Sequence, residues 1–239
     1  MAQADWTEST NSLSQATLDR GVTAGAARPP GGGSFVYGFN SLALVNGGCT
    51  LFSNLVNFAP MAKGGSLRVA MKRGLSGGPT NFSPFLFLCA QGPDISDNAY
   101  LLGLSDEEPS RIVLRKGRLV DGVPAGLPGT LGILGRSTAT FPIDTWLHLR
   151  LDVIVNTNGD VALNCFRSDL TANGVTVNNP VWAPIAGLSN PFIDDALAVN
   201  SGSAAFTGGR AGFGVAVKDI NRRAYFDQIE LQRQLLATL

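Results

Sequence analysis

The stretch from Thr145 to Arg167, TWLHLRLDVIVNTNGDVALNCFR, decides the fold class of this 239-residue chain. Its first half alternates apolar residues with mostly polar ones. One face would carry Leu147, Leu149, Leu151, Val153 and Val155, and the other Trp146, His148, Arg150, Asp152 and Ile154. A period of two is typical of a β-strand with one face in a core. We therefore predict a long strand of an antiparallel sheet here.

The turn that follows fixes how the returning strand pairs. A three-residue loop at 157–159 gives the pairs Val155–Val161, Val153–Leu163 and Leu151–Cys165. A two-residue turn at Asn158 and Gly159 would instead set Val153 opposite Asn164. The longer loop also places Gly159 where a left-handed backbone is needed, as in a type I turn followed by a G1 bulge. The sequence therefore favours the three-residue loop.

The rest of the chain reads as short strands between turns rich in Gly, Pro and Asn. Before the hairpin, the predicted strands are 35–39, 49–58, 66–72, 84–90, 100–104, 111–116 and 130–134. After it, residues 168–208 are irregular, with one short strand near Val181 and a helical turn at 194–198. The predicted closing hairpin pairs 211–218 with 223–232. Roughly ten to twelve short strands predict an all-β antiparallel sandwich or jelly roll.

The two ends of the chain differ from its middle. Residues 1–34 are polar and are predicted to form an N-terminal arm, with a short helix from Ser12 to Arg20. Residues 35–235 are predicted to form one β-sandwich domain, because all-β domains of this length are often single. Residues 236–239 are predicted to form a short apolar tail.

The composition excludes some classes of partner. Lysine plus arginine number 18, as do aspartate plus glutamate, so no basic excess is present to bind a nucleic-acid backbone. The apolar runs are far shorter than the roughly 18–20 residues of a membrane span. Charged residues make up only 15% of the chain, and a charge-poor, near-neutral surface favours association. We therefore expect a homo-oligomer without nucleic-acid or membrane partners.

The cysteines and the N-terminus indicate folding in a reducing compartment. Cys49, Cys89 and Cys165 have no motif spacing, and the last two lie in apolar strands. This pattern favours buried, reduced thiols. The first residues lack the charged and apolar regions of a signal peptide. We expect synthesis in the cytoplasm.

Two motifs carry a resemblance to known domains. WLHLRLDVIVNTNGDVALNCF is similar to paired strands that precede a Gly turn. GGRAGFGVAVKDINRRAYFDQIEL is similar to a closing hairpin, through Gly209, Gly212, Phe213, Tyr225, Phe226, Asp227, Ile229 and Leu231. Both resemble the concanavalin A-like, laminin-G-like jelly-roll superfamily over residues 35–235. The resemblance implies an antiparallel sandwich but no particular function, because such folds host many functions.

Two further segments resemble virion structural proteins of tailed bacteriophages. They are KGGSLRVAMKRG, residues 63–74, and AYLLGLSDEEPSRIVLRKG, residues 99–117. The resemblance implies a decoration, collar, tail or baseplate component, located in the virion, that acts through contacts with other virion proteins.

The sequence offers no catalytic set. Catalytic members of the superfamily that this chain resembles carry an E-x-D-x-E strand. The nearest acidic residues in this chain, residues 106–108, are consecutive and precede Pro109. The single histidine, His148, lies about 13 Å along a strand from Asp152, which is too far for a catalytic hydrogen bond. We therefore expect a non-enzymatic protein with no catalytic residues.

Calcium is the one cofactor that the loops suggest. Hard oxygen ligands occur close together at Asp94, Asp97 and Asn98, and again at Asn190, Asp194 and Asp195. Solvated loops of this polarity are also common without a metal. We otherwise expect no cofactor.

Four residues are candidates for a glycan site or a subunit interface. Trp146, His148 and Arg150 share the outer face of one strand, and Trp182 lies in the irregular region. An aromatic platform flanked by polar groups suits a saccharide, but core or subunit-interface packing is the favoured interpretation for these aromatic residues. Tyr37 and Tyr100 are further possible platforms. The leading hypothesis is a structural virion component, and the alternative is a lectin-like module that attaches to glycans.

Overall fold

The computed structural model describes residues 6–10, 18–23, 28–33, 36–41, 47–53, 64–74, 82–92, 97–105, 109–118, 132–196, 203–217 and 223–233. Within these ranges every regular element is a β-strand. No helix among them has the length and apolarity to cross a membrane.

The strands form two antiparallel sheets. The first sheet has, in spatial order, β1 (Trp6–Thr10), β4 (Gly47–Ser53), β14 (Arg210–Val217), β6 (Phe82–Ala90), β7 (Asn98–Leu104), β8 (Ser110–Arg118) and β9 (Ile133–Phe141). The second has β12 (Ala183–Pro184), β11 (Val161–Asp169), β10 (Leu147–Val155), β5 (Gly64–Gly74), β15 (Arg223–Arg233), β3 (Val36–Ser41) and β2 (Leu18–Thr23), and β13 (Phe192–Asp194) also pairs with β11. The predicted all-β antiparallel sandwich is confirmed.

The core lies between the two sheets. Alternate residues of the second sheet point into it, and they meet alternate residues of the first. The buried side chains include Leu67, Val69, Met71, Leu149, Leu151, Leu163, Leu86, Leu88, Leu102 and Leu114. The rings of Phe213 on β14 and Phe226 on β15 pack across the core with centroids 4.9 Å apart. This packing leaves the polar residues of β5, β10, β11 and β15 on the outer face of the second sheet.

The predicted hairpin and its register are confirmed. Strands β10 and β11 pair Val155 with Val161, Val153 with Leu163 and Leu151 with Cys165. The loop closes with a hydrogen bond of 2.8 Å from the Asn156 N–H to the Asp160 carbonyl. Gly159 has a φ of 89°, so the glycine supplies the left-handed backbone that the loop requires.

The two last strands correct the prediction of a closing hairpin. β14 pairs with β4 and β6 in the first sheet, whereas β15 pairs with β3 and β5 in the second. The strands are adjacent in sequence but face each other across the core. Each strand has an apolar face, and the two faces pack against each other through Phe213 and Phe226.

The N-terminal region also differs from expectation. Leu18–Thr23 is a strand paired with β3, so the helix predicted from Ser12 to Arg20 is wrong at its C-terminal end, and residues 11–17 lie outside the described residues. β1 pairs with β4, so two parts of the predicted arm belong to the sheets. The domain boundaries at residues 34 and 235 remain predictions, and the apolar tail lies outside the described residues.

Of three smaller elements, one agrees with expectation and two differ from it. The strand predicted at 130–134 is β9, which runs from Ile133 to Phe141. Ala183–Pro184 is the short strand expected near Val181. Asp194 ends strand β13 and does not begin a helical turn, because its residues extend the edge of the second sheet along β11.

Candidate functional site

Four charged side chains form a patch on the outer face of the second sheet. The charged patch comprises Arg68 on β5, Arg150 and Asp152 on β10, and Glu230 on β15. Arg150 lies directly across from Arg68, and Arg68 directly across from Glu230. The side chains are 25% exposed at Arg68, 27% at Arg150, 16% at Asp152 and 38% at Glu230. The patch is therefore accessible to solvent.

Each arginine of the charged patch is held by a carboxylate. Arg68 pairs with Glu230, and Arg150 Nη2 lies 2.9 Å from Asp152 Oδ2. Ser66 donates a hydrogen bond of 2.5 Å to the other oxygen of Asp152. These pairs balance the charge of two guanidinium groups that would otherwise repel each other across neighbouring strands. The patch presents donors and acceptors with no net charge.

Trp182 lies at one edge of the charged patch. Residue 183 pairs with Arg167 of β11, which sets Trp182 beside Ser168 on the same outer face, and the Val181 N–H donates to Ser168 Oγ at 3.0 Å. The small Ser168 lets the indole reach over β11 to β10. The indole lies 5.2 Å from the Arg150 guanidinium carbon and 4.7 Å from the His148 ring. Arg150 also lies over Phe166, at 4.3 Å.

His148 lies beneath this indole and is fully buried. Burial lowers the pKa of His148 to about 4, the nearby Arg68 lowers it further in the same direction, and Glu230 acts in the opposite sense. The imidazole is therefore neutral at pH 7. Among the described residues, neither ring nitrogen of His148 has a hydrogen-bond partner, and neither does Arg150 Nε.

Trp146, the fourth predicted site residue, lies outside the group formed by the charged patch, Trp182 and His148. It shares the outer face of the sheet, as predicted, but it is buried in a cluster with Val36, Ala70, Leu170 and Val177. Lys72 lies 5.5 Å from the Trp146 ring and pairs with Asp144 at 2.6 Å. The segment after β11 covers this end of the sheet, so Trp146 has a packing role.

The other predicted aromatic and calcium residues are also placed elsewhere. Tyr37 packs against Phe39 and Phe213, and Tyr100 is fully buried. Asn190 accepts a hydrogen bond from the Cys165 N–H at 2.8 Å, and Asp194 faces Lys116, so the second calcium set does not converge. Asp94 of the first set lies outside the described residues. Among the residues described, no group of three His, Cys, Asp or Glu side chains is arranged to hold a metal ion.

Asp194 belongs to a buried ionic cluster on the core side of β13. Lys116 Nζ lies 2.7 Å from Asp194 Oδ2, and both side chains are fully buried. The Tyr100 hydroxyl donates to the same carboxylate, and the Phe206 N–H donates to that hydroxyl at 2.8 Å. Burial and this carboxylate raise the pKa of Tyr100. The cluster joins β7, β8 and β13 to the segment at 203–206.

The cysteines of the core agree with expectation. Cys89 and Cys165 are free and buried, and burial raises the pKa of each thiol to about 12. The side chain of Cys49 lies outside the described residues.

Sequence reasoning missed Arg68, Ser66 and Glu230 as site residues. The alternation of 66–72 already placed Ser66 and Arg68 on an outer face. Their proximity to Arg150 follows from the pairing of β5 with β10 and β15, which connects residues more than 80 positions apart. No local sequence pattern predicts the pairing of these strands.

Several solved structures share this fold. The alginate lyase of family PL-14 from Aplysia kurodai aligns with a TM-score of 0.54 at 12% identity, over 90% of this chain and 87% of that chain. The cellulose induced protein Cip1 aligns with a TM-score of 0.51 at 12% identity, over 98% and 94%. The metal-free carbohydrate recognition domain of Emp46p aligns with a TM-score of 0.50 at 10% identity, over 98% and 90%.

These similarities define the class of the fold. No family model and no curated protein sequence matches the chain. The chain is an antiparallel jelly-roll sandwich, and its fold neighbours include a carbohydrate recognition domain and an alginate lyase. At 10–12% identity the similarity shows the fold alone.

The expectation of a non-enzymatic protein is corrected by this comparison. It rested on the missing E-x-D-x-E strand, but an alginate lyase with a TM-score of 0.54 has the same fold. A single motif is a poor criterion, because one sandwich supports different catalytic sets on its faces and loops. The fold is compatible with enzymatic activity.

Proposed function

We propose that the protein binds a neutral saccharide on the outer face of its second sheet. The observation that carries this proposal is the half-buried Trp182 beside the charged patch. An indole ring offers a flat apolar surface for a sugar ring. The neighbouring guanidinium and carboxylate groups offer donors and acceptors for its hydroxyls.

The charge of the patch favours a neutral sugar over an acidic one. Arg68 and Arg150 each have a carboxylate partner, so a uronate would have to displace Glu230 or Asp152 and leave that acid without its cation. A hydroxyl group bridges an arginine and a carboxylate without displacing either. Binding of this kind depends weakly on salt, because no net charge is neutralised.

A fold neighbour supports this choice of ligand class. The Emp46p domain is named a carbohydrate recognition domain, so a sandwich of this shape is able to present a saccharide site. The residues of the proposed site are taken from this chain alone. They are Trp182, Arg150, Arg68, Asp152 and Glu230.

A glycan array of neutral cello-, manno-, xylo- and galacto-oligosaccharides tests the proposal. We expect the wild type to bind at least one member, and Trp182→Ala to weaken that binding about tenfold or more, equivalent to about 1.4 kcal/mol. Val181→Ala is the matched control, because it shortens a neighbouring side chain that is 64% exposed. Absence of binding by the folded wild type would overturn the proposal.

We also infer a second candidate function, a component of a tailed-bacteriophage particle. It is supported by the resemblance of residues 63–74 and 99–117 and by the zero net charge. A virion protein that attaches to host glycans would combine both functions. Light scattering on the purified chain tests it: a defined oligomer is expected, and a monomer that also fails to join particles would contradict it.

A further inference from the structure

His148 occupies a position that its chemistry does not explain. It lies on the outer face of β10 between Ala70 and Ser168, and it is fully buried. A neutral imidazole has one N–H donor and one acceptor, and both nitrogens lack a hydrogen-bond partner in the part of the chain that the structure describes. Buried polar atoms are normally paired, because an unmade hydrogen bond costs stability. An apolar ring would fill this position at lower cost.

The Trp182 indole lies over His148 in the structure. The two rings lie 4.7 Å apart with planes at 53°. The indole is carried by a short surface segment, residues 178–182, in which Asn178, Asn179 and Val181 are exposed. The buried apolar residues of the region, Leu170 and Val177, pack with Trp146 and Ala70, and Ala70 lies directly across from His148. A rotation of the Trp182 side chain would remove the ring contact that it makes with His148.

We propose that His148 is a saccharide-contacting residue, uncovered when Trp182 turns to stack on the sugar ring. The neutral imidazole then donates one hydrogen bond to a sugar hydroxyl and accepts one from another. The inference rests on the proposed function of the charged patch and names a further residue of that site. It also explains why a histidine, and not an apolar residue, lies under the indole.

The geometry of the sheet makes this contact compatible with the rest of the site. His148 and Arg150 are two residues apart on the same face, on the order of 7 Å along the strand. A sugar ring stacked on Trp182 would span that distance and reach both side chains. The charged groups near His148, Arg68 and Glu230, are paired with each other. The lowered pKa of His148 keeps its imidazole neutral in this site.

An experiment without any ligand tests whether Trp182 shields His148 from solvent. Because the chain has one histidine, the rate of its modification by diethylpyrocarbonate reports on His148 alone. We expect slow modification in the wild type and in Val181→Ala, and at least tenfold faster modification in Trp182→Ala. An equally slow rate in folded Trp182→Ala would overturn the role of Trp182 as the cover.

The contact itself is tested with His148→Phe. We expect this variant to melt at the same temperature as the wild type or higher, because two unpaired polar atoms are removed. We expect it to bind the tightest neutral oligosaccharide of the array at least tenfold more weakly. Unchanged affinity would overturn this inference and leave the proposed function intact, whereas a wild type that binds no oligosaccharide would overturn both. A lower melting temperature would also contradict it, since the ring nitrogens would then have partners in the free protein.

Discussion

At the scale of single residues, His148 and Trp146 show what alternation can and cannot predict. The period of two correctly placed His148 on the outer face of β10, and it put Trp146, which directly precedes β10, on the face where it packs with Ala70. It did not predict that both are buried, because the cover comes from the segment after β11. Trp182 is half-buried near the charged patch while Trp146 is packed away. The difference depends on the path of residues 170–182, which no periodicity describes.

The buried imidazole predicts a pH dependence of stability. The pKa of His148 falls from 6.5 to about 4 on folding, so the unfolded chain takes up the proton first as the pH falls. The free energy of unfolding should therefore decline from about pH 6.5 to about pH 4, with a slope of at most about 1.4 kcal/mol per pH unit from this residue.

Urea unfolding of the wild type and His148→Phe at several pH values checks this prediction. Both proteins carry the same carboxylates, so the difference between their stabilities isolates the imidazole. We expect the wild type to lose stability more steeply than the variant above pH 4.5. Parallel curves would contradict the lowered pKa.

At the scale of elements, local signals predicted the β10–β11 hairpin but not the final strands. Its loop, register and faces all follow from residues within 23 positions of sequence, including Gly159 with its positive φ. The strands β14 and β15 carry equally clear alternation, yet they enter different sheets. Their partners, β4, β6, β3 and β5, are more than 100 residues away. Alternation gives the faces of a strand and not its neighbours.

The ion pair between Asp194 of strand β13 and Lys116 of β8 connects this short strand to the first sheet. A second prediction concerns the contribution of this ion pair to stability. Asp194→Leu should remove the carboxylate that pairs with the buried Lys116 ammonium and cost about 3–5 kcal/mol. The double variant Lys116→Met with Asp194→Leu should recover most of that loss, because apolar side chains of similar volume replace the pair.

Urea unfolding of the two variants measures the recovery. The remaining cost of the double variant should come from the Tyr100 hydroxyl, which loses its acceptor on Asp194. A double variant as unstable as Asp194→Leu would contradict the ionic role of Lys116 and would indicate that the packing of β13 dominates.

At the scale of the whole molecule, the proposed site is a product of strand order. The charged patch draws on β5, β10 and β15, and Trp182 comes from beyond β11. Of the residues in and beneath the proposed site, the sequence predicted His148 and Arg150 on one strand and Trp182 as a separate candidate. The two sheets pack their apolar faces together, and this leaves the polar face of the second sheet free to carry a function. The jelly-roll fold itself specifies no ligand.

The measurement that tests the central claim most directly is calorimetric titration of the tightest neutral oligosaccharide into Arg150→Gln and Arg167→Gln. Arg150 lies in the charged patch, whereas Arg167 lies on the other face of β11, over Phe141. The account predicts that Arg150→Gln weakens binding about tenfold or more, equivalent to about 1.4 kcal/mol, and that Arg167→Gln binds like the wild type. Equal affinities for both variants and the wild type would contradict a saccharide site on this face.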